Sequence, residues 1–274
     1  MHFAAVSWNL FHGRDFPPDP ALFTWRSRLL RVTERNDTHL QVNRDLTAEF
    51  SAVLAAAEWD VALLQECPPR FAGALARTCE AEAHRVLTSR NSLSRLRAAA
   101  ARLNPDLIAS GEGGSNLTLV RSGGLLGPII ERRELVVHDG EPERRAMAFC
   151  RTGSGVCIAN LHATNDQPTL ASADVLKAAQ AATGWAAGAP LLFGGDLNLR
   201  PAQDPAVFEQ LRSRFGLAGT TAPNAIDHLL CRGLAADSAA AWPPERRELR
   251  RGARALRLSD HAPIAASFTT PASG

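Results

Sequence analysis

The most informative segment of this chain is Leu191-Leu192-Phe193-Gly194-Gly195-Asp196-Leu197-Asn198. Its apolar beginning predicts a buried strand, and its end presents a carboxylate and a carboxamide one residue apart. On an extended chain Asp196 and Asn198 point the same way, at the end of a strand packed on both faces. Such a pair is suited to fixing a metal ion, a water molecule or a phosphate oxygen. An ordinary turn would use the same residues, since Gly, Asp and Asn are common in turns.

The composition of the chain is that of a globular protein. It has 274 residues, of which 45% are hydrophobic and 21% are charged. This length supports one large α/β domain or two small ones. The formal net charge of +2 is too small to indicate a nucleic-acid-binding protein by itself.

Cysteine usage and hydropathy predict the compartment. No apolar run approaches the ~18 residues that a membrane span needs. The five cysteines share no metal-ligand spacing, which favours reduced, partly buried thiols over disulfides or structural zinc. The first residues form a strand-like segment and show no signal-peptide pattern. We therefore expect a cytoplasmic protein without a membrane span, and we expect it to be a monomer.

The hydrophobic periodicity predicts strands that are linked both by helices and by hairpins. No composition shift, repeat or low-complexity block marks a second domain. We therefore expect a single α/β domain with mixed sheets over residues 1–270 and a frayed tail over residues 271–274. Residues 25–35 are compatible with a short helix over the site or with a substrate loop.

Two helix starts are predicted from local signals. Pro68-Pro69 is expected to open a helix, since proline is tolerated in the first turn. Ser92 is expected to cap a second helix. The apolar stripe of this second helix would include Leu93, Leu96 and Leu103.

Several predicted strands end in the same way, with polar side chains directly after an apolar run. Each of these residues taken alone is compatible with a turn or a cap. Strand ends in such a domain converge on one rim, where sites are built. We therefore group them into one candidate site: Asn9, Glu66, Asn160 with His162, Asp196 with Asn198, Asp227, and Asp260 with His261.

The side chains of this group predict metal-assisted proton transfer. Glu66, Asp260 and the Asn9 amide offer hard oxygen ligands, which suit Mg²⁺ or Mn²⁺ far better than zinc. The two histidines of the group titrate near neutral pH and suit proton transfer. Asp227 is available to orient one of them.

The same residues form a series of short motifs. In chain order these are Ser7-Trp8-Asn9, Leu64-Gln65-Glu66, Asn116 before a strand ending in Arg121, Asn160-Leu161-His162, Gly195-Asp196-Leu197-Asn198, Ile226-Asp227 and Ser259-Asp260-His261. Their order and spacing, from about Phe3 to Phe268, resemble the endonuclease/exonuclease/phosphatase family. That family includes deoxyribonuclease-like nucleases, abasic-site endonucleases, neutral sphingomyelinases and inositol polyphosphate 5-phosphatases.

The resemblance implies a fold and a reaction. The fold is α/β, a deoxyribonuclease-like four-layer α-β-β-α sandwich of two mixed β-sheets flanked by helices. The reaction is hydrolysis of a phosphoester with a divalent cation, Mg²⁺ or Mn²⁺. By the resemblance, Glu66 is the main metal ligand, helped by Asn9 and Asp260. His261 is the general base that activates water, and Asp227 orients it.

The resemblance also implies roles for the remaining motif residues. His162 contacts the phosphate or protonates the leaving oxygen. Asp196 and Asn198 position the nucleophile and hold a phosphoryl oxygen. Substrate or phosphate binding falls to Asn116, Arg145 and Asn160, with Arg144 competing for the place of Arg145.

Three features depart from the family pattern or stand outside it. The chain has no tyrosine, so the active-site tyrosine of abasic endonucleases is missing. The first loop, with His12 and Arg14, is unusually elaborate for a compact nuclease. The arginine-rich residues 245–257 are either a solvated loop or a lip that grips substrate phosphates. Aromatic residues are sparse there, which does not favour single-strand recognition.

From the sequence we expect a divalent-metal-dependent phosphodiester hydrolase, a nuclease that cleaves nucleic acid with a His-activated water. The alternative substrate is a small or lipid phosphoester, cleaved by a phosphatase or phosphodiesterase of the inositol phosphate or sphingomyelinase type. A non-catalytic binding module on the same fold is the rival of another class. The complete set of site residues argues against the module, because binding alone does not need all of them.

Overall fold

The computed structural model describes residues 1–89, 91–219 and 221–270, so the predicted frayed tail over residues 271–274 lies outside the described residues. In chain order the strands are β1 (His2–Asn9), β2 (Glu34–Arg35), β3 (His39–Gln41), β4 (Val61–Cys67), β5 (Ala81–Leu87), β6 (Ser115–Arg121), β7 (Ile129–His138), β8 (Arg145–Thr152), β9 (Cys157–His162), β10 (Leu191–Asp196), β11 (Asp227–Arg232), β12 (Ala235–Ala236), β13 (Ala240–Ala241), β14 (Glu248–Arg251), β15 (Arg254–Arg257) and β16 (Ile264–Thr269). The α-helices are α1 (Trp25–Leu30), α2 (Thr47–Ala56), α3 (Ala72–Thr78), α4 (Ser94–Leu103), α5 (Pro105–Ile108), α6 (Pro168–Ala186) and α7 (Pro205–Phe215). Short 3-10 turns cover Phe11–Gly13, Pro20–Leu22, Ala109–Glu112 and Pro244–Arg247.

Two mixed β-sheets pack face to face between helices, which confirms the predicted sandwich. The seven-stranded sheet has the order β12-β16-β1-β4-β6-β5, with β13 paired to β16. The five-stranded sheet has the order β11-β10-β9-β8-β7. β1 runs parallel to β4 and β9 runs parallel to β10, while the other neighbours in these two orders are antiparallel. Within the described ranges, no helix is long and apolar enough to cross a bilayer.

The two faces of each strand separate the core into layers. In β1, Phe3 and Ala5 belong to the apolar cluster between the two sheets, whereas Val6 and Trp8 belong to the cluster beneath α2 and α3. A third cluster joins the five-stranded sheet to α6 and α7. This alternation follows from the two-residue period of a strand. It leaves the central strands of both sheets buried on both faces, so that polar side chains collect at the strand ends.

The arginine-rich residues 245–257 form part of a small third sheet that the sequence did not predict. β14 and β15 form a hairpin, and β15 continues the sheet through β3 to β2. The arginines there make structural contacts. Arg257 donates to Glu248 at 2.7 Å, Arg247 donates to the carbonyl oxygen of Leu258 at 3.0 Å, and the guanidinium of Arg246 lies 4.5 Å from the ring centre of Trp242.

Both predicted helix starts were wrong in position. After Pro68-Pro69 the chain makes a turn, and α3 begins only at Ala72. The residue that precedes α4 as its cap is Leu93, in the left-handed conformation and without a side-chain capping bond. The predicted stripe of α4 faces away from the core, since Leu93, Leu96 and Leu103 are about two-thirds exposed or more (72%, 69% and 68%). For residues 25–35, the structure has the helix α1 followed by β2.

The two glycines that precede Asp196 are needed because neighbouring strands approach closely. A Cβ at Gly194 would lie 2.5 Å from the carbonyl oxygen of His228 in β11. A Cβ at Gly195 would lie only 1.9 Å from the carbonyl oxygen of Leu161 in β9, and φ at Gly195 is +129°. Only glycine is free of both restrictions. β10 therefore continues through the glycine pair and places Asp196 at its end.

We predict that Gly195→Ala destabilises the protein by at least ~2 kcal/mol, because the methyl group forces β9 and β10 apart and the positive φ is strained. Urea unfolding measures the change in the free energy of unfolding. Gly184→Ala in α6 is the matched control, since nothing lies within 4 Å of the added methyl group. There the same substitution is expected to stabilise by about 0.5–1 kcal/mol. Equal stabilities of Gly195→Ala and the wild type would contradict the argument.

Candidate active site

The ends of the central strands surround a polar cavity of about 400 Å³. The carboxyl ends of the parallel strands β1, β4, β9 and β10 meet here, together with the starts of their antiparallel neighbours β8 and β11. Most of the predicted site residues line the cavity: Asn9, Glu66, Arg145, His162, Asp196, Asn198, Asp260 and His261. Residues without a role in the sequence analysis line it as well, among them Phe11, His12, Arg14, Ser89 and Glu143.

A β-bulge directs Glu66 into the cavity. The register of β4 against β6 shifts between Leu64 and Cys67, so that Gln65 and Glu66 both lie opposite the single residue Asn116. Glu66 has φ of +46°, a conformation that costs energy in a residue with a side chain. Bulges of this kind re-aim side chains beside active sites. Here the bulge turns the carboxylate into the cavity while Cys67 still packs in the core under the helices.

Asp196 is the central group of the site. One carboxylate oxygen accepts a hydrogen bond from the Asn9 side-chain amide at 3.0 Å, and the other accepts from the backbone N–H of Asn198 at 3.1 Å. The Nε2 atoms of His162 and His261 lie 3.6 and 3.8 Å from the same carboxylate. The buried carboxylate thus lies between the two histidines, the Asn9 side chain and the Asn198 backbone, and it fixes the relative positions of these four groups.

The acidic groups of the cavity repel one another. Burial raises the pKa of Asp196 to about 7, and the negative charge of Asp227 adds to this effect. Burial also raises the pKa of Asp260, with a contribution from Glu66. A divalent cation at this place would relieve the repulsion, and Glu66, Asp260 and the Asn9 oxygen are hard donors of the type that Mg²⁺ and Mn²⁺ accept. The donor set therefore fits such an ion.

A second group of ligand-type atoms lies close to this set. Among the described residues, one ligand atom each of Asp196, Asp227 and His261 lie within 4.8 Å of one another. The Nδ1 atom of His261 is already hydrogen-bonded to Asp227, at 2.8 Å. This arrangement therefore suits an oriented base better than a cation site.

His261 has the geometry of a general base. Its Nδ1–H donates to Asp227, which leaves Nε2 facing the cavity beside Asp196. Burial alone would lower the pKa of His261, but the hydrogen bond and charge of Asp227, with Asp196 and Asp260, outweigh it and raise the pKa to about 10. Neutralising these carboxylates with a cation would lower the pKa of His261 towards the range in which a base works.

His162 has the opposite electrostatic environment. Burial, reinforced by the charge of Arg145, holds the pKa of His162 well below its usual value. The guanidinium of Arg145 lies 3.2 Å from Nδ1 of His162, which must accept the hydrogen bond because arginine is always a donor. The proton of the neutral ring is then on Nε2, towards Asp196 and Glu66. The geometry suits a hydrogen bond from Nε2 to a phosphate oxygen, and not proton release to a leaving group.

Asn116 and Asn160 are not brought to the cavity. Both are fully buried beneath it. The amide of Asn160 accepts from Gln65 at 2.8 Å and donates to carbonyl oxygens of β4 and β6, which ties the two sheets together. Asn116 donates to the carbonyl oxygen of Ala146 at 2.7 Å. The structure thus gives these two residues a structural position instead of contact with a substrate.

The first loop contributes two groups that the sequence analysis left without a role. His12 Nε2 lies 3.1 Å from a carboxylate oxygen of Glu66. The guanidinium of Arg14 lies 3.8 Å from the ring centre of Phe11, and all three residues line the cavity. The sequence feature that could have indicated their role is their position shortly after the motif residue Asn9. Periodicity does not indicate the side-chain direction in such a loop.

Comparisons with known proteins agree with this architecture. The model of the endonuclease/exonuclease/phosphatase family matches residues 6–261. No curated protein matches the chain in sequence.

Similar solved structures include an endonuclease/exonuclease/phosphatase family protein from Bacteroides thetaiotaomicron (12% identity, TM-score 0.65, covering 99% of this chain and 98% of that one). They also include the mannosyl-6-phosphatase Bt3783 of Bacteroides thetaiotaomicron VPI-5482 (12% identity, TM-score 0.64, covering 97% and 99%). A third is truncated Caenorhabditis elegans TDP2 (16% identity, TM-score 0.59, covering 98% of both). At such identities the likeness shows the shared fold alone.

We predict that Arg145→Met raises the pKa of His162, because it removes both a nearby positive charge and the donor to Nδ1. An NMR titration of the histidine ring signals in metal-free protein measures this pKa, with His162→Gln identifying the resonance. The matched control is Arg144→Met, whose neighbouring guanidinium instead donates to the carbonyl oxygen of Leu87. An unchanged pKa in Arg145→Met, or an equal rise in both variants, would refute the assignment.

Proposed function

The chain belongs to the endonuclease/exonuclease/phosphatase family of hydrolytic phosphoesterases, and we propose that it cleaves a small phosphoester with a divalent cation and a water activated by His261. The observation that carries this proposal is the 2.8 Å hydrogen bond between His261 Nδ1 and Asp227. It holds Nε2 open to a cavity that also contains the oxygen donors for a cation.

Glu66, Asp260 and Asn9 are the residues that would hold the cation, which would supply positive charge to a phosphoryl oxygen. His261 Nε2 takes one proton from the water as its oxygen attacks phosphorus. Asp227 stabilises the imidazolium that forms. The bond from phosphorus to the leaving oxygen breaks on the opposite side, as in-line displacement requires.

Two further side chains act on the substrate and the water in this proposal. Asp196 accepts a hydrogen bond from the attacking water and orients it towards phosphorus. His162 donates Nε2–H to a phosphoryl oxygen, and Arg145 behind it keeps that tautomer. Such donors are preorganised for charge that develops in the transition state, which is where electrostatic stabilisation contributes most.

The size and charge of the cavity favour a substrate with few phosphate groups. A volume of about 400 Å³ is in the range of small-ligand pockets. Among the residues that the structure describes, Arg14 and Arg145 are the ones whose guanidinium groups line the cavity, and residues 245–257 contribute none. Tight binding of a nucleic acid backbone instead uses many phosphate contacts. The nuclease activity that we expected from the sequence therefore stays a prediction, which the salt dependence of cleavage tests.

We predict that bis(p-nitrophenyl) phosphate or a phosphomonoester is hydrolysed with Mg²⁺ or Mn²⁺ and not with EDTA. His261→Gln should lower kcat by about 10²–10⁴-fold, the usual contribution of a general base. His2→Gln is the matched control because that histidine is exposed and remote, contacting Thr269. Steady-state assays of both variants measure the effect. A His261→Gln rate within about tenfold of the wild type would remove His261 from this role.

Salt dependence separates the two substrate classes. We predict that kcat/KM for the small substrate changes less than about tenfold between 50 and 200 mM salt, since few phosphate contacts are screened. Plasmid and oligonucleotide cleavage, measured in parallel, should be absent or weak. Efficient DNA or RNA cleavage that falls by about 10³-fold or more over the same salt range would support the nuclease and refute the small substrate.

A further inference from the structure

The first loop holds His12 in an unusual backbone conformation. His12 has φ of +52° and the preceding residue, Phe11, has φ of +49°. Two neighbouring left-handed residues with side chains cost energy and persist only where the surroundings enforce them. The backbone N–H of Phe11 donates to the Asn9 side chain at 3.0 Å, and a Cβ added at Gly13 would lie 2.5 Å from the ring of Phe71. The loop is therefore tied to the end of β1 and to the core beneath α3.

The consequence of this loop is the position of the His12 ring. Nε2 lies 3.1 Å from Oε2 of Glu66, and the side chain is mostly buried, with 13% exposed. Two donor atoms about 2.1–2.2 Å from one octahedral ion, at right angles, are about 3 Å apart. The observed separation fits two neighbouring ligands of a single ion. A hydrogen bond between the two side chains has the same length, so an experiment must separate the two cases.

We propose that His12 is a nitrogen ligand of the cation bound by Glu66 and that it makes the site prefer Mn²⁺ over Mg²⁺. Carboxylate and amide oxygens alone suit Mg²⁺ and Mn²⁺ alike, whereas an imidazole ligand favours transition metals. The inference rests on the proposed function in one respect only, that Glu66 binds the cation. Asn9 and Asp260 line the same cavity and would supply further ligands to that cation.

The test is Mn²⁺ binding to the whole protein without substrate. Electron paramagnetic resonance of free Mn²⁺ gives Kd, and the electron spin echo of bound Mn²⁺ reports a directly coordinated ¹⁴N nucleus. We expect ¹⁴N modulation in the wild type and its loss in His12→Ala. We also expect Kd for Mn²⁺ to rise at least ~10-fold, with Kd for Mg²⁺, from competition, changing less than about threefold.

Two further variants make the outcomes distinct. His39→Ala is the matched control, because His39 forms a similar pair with Glu248 at 3.2 Å, remote from the cavity. It should bind both ions as the wild type does. Glu66→Gln should lose Mn²⁺ binding. If Glu66→Gln binds normally, the metal site of the proposed function is wrong, and so is this inference.

Other results would overturn the inference about His12 alone. One is loss of Mn²⁺ binding in Glu66→Gln together with unchanged binding, or persistent ¹⁴N modulation, in His12→Ala. Tighter binding of both ions in His12→Ala would instead identify His12 as a group that competes with the cation for Glu66. Thermal unfolding of each variant without metal verifies that the compared proteins are folded.

Discussion

The crowding of carboxylates around Asp196 is the constraint on which the site depends. Asp196 is almost fully buried, and the negative charges of Asp227 and Glu66 add to the rise in its pKa. Glu66 also contributes to the raised pKa of Asp260. Burying several acids together is unfavourable unless positive charge and hydrogen-bond donors compensate for it. The amide of Asn9 and the two histidines are compensating groups, and the proposed cation would be another. The fold therefore places donors around Asp196 because an uncompensated cluster would destabilise this edge of both sheets.

Several residues at the same edge have a left-handed backbone conformation. Glu66, His12, Asn198 and Ser259 all have positive φ, between +46° and +59°. Such conformations are sparse for residues with side chains and occur at sites where packing over-determines the backbone. Here the packed sheets supply that packing. The hydroxyl of Ser259 also accepts from the backbone N–H of His261 at 3.1 Å, which fixes the histidine that follows the strained turn.

Sequence reasoning predicted the fold and most of the cavity because both follow from local patterns. Apolar runs ended by polar residues locate strand ends, and strand ends meet at one edge. The same pattern does not distinguish a side chain in the cavity from one beneath it, which is why Asn160 was grouped with His162. The position of His12 depends on left-handed backbone that periodicity does not indicate. The contacts of the arginine-rich residues 245–257 depend on distant partners, as between Arg251 and Glu49.

In the proposed mechanism, the two histidines separate phosphate binding from proton transfer. Burial and Arg145 lower the pKa of His162, whereas Asp227 raises that of His261. Groups whose environments shift their pKa values in opposite directions take different roles in catalysis. A neutral His162 is a fixed hydrogen-bond donor at neutral pH. His261, whose acidic neighbours stabilise its imidazolium form, would accept a proton once a cation neutralises those carboxylates and lowers its pKa. The distinction arises from the partner of each Nδ1 atom, a guanidinium in one case and a carboxylate in the other.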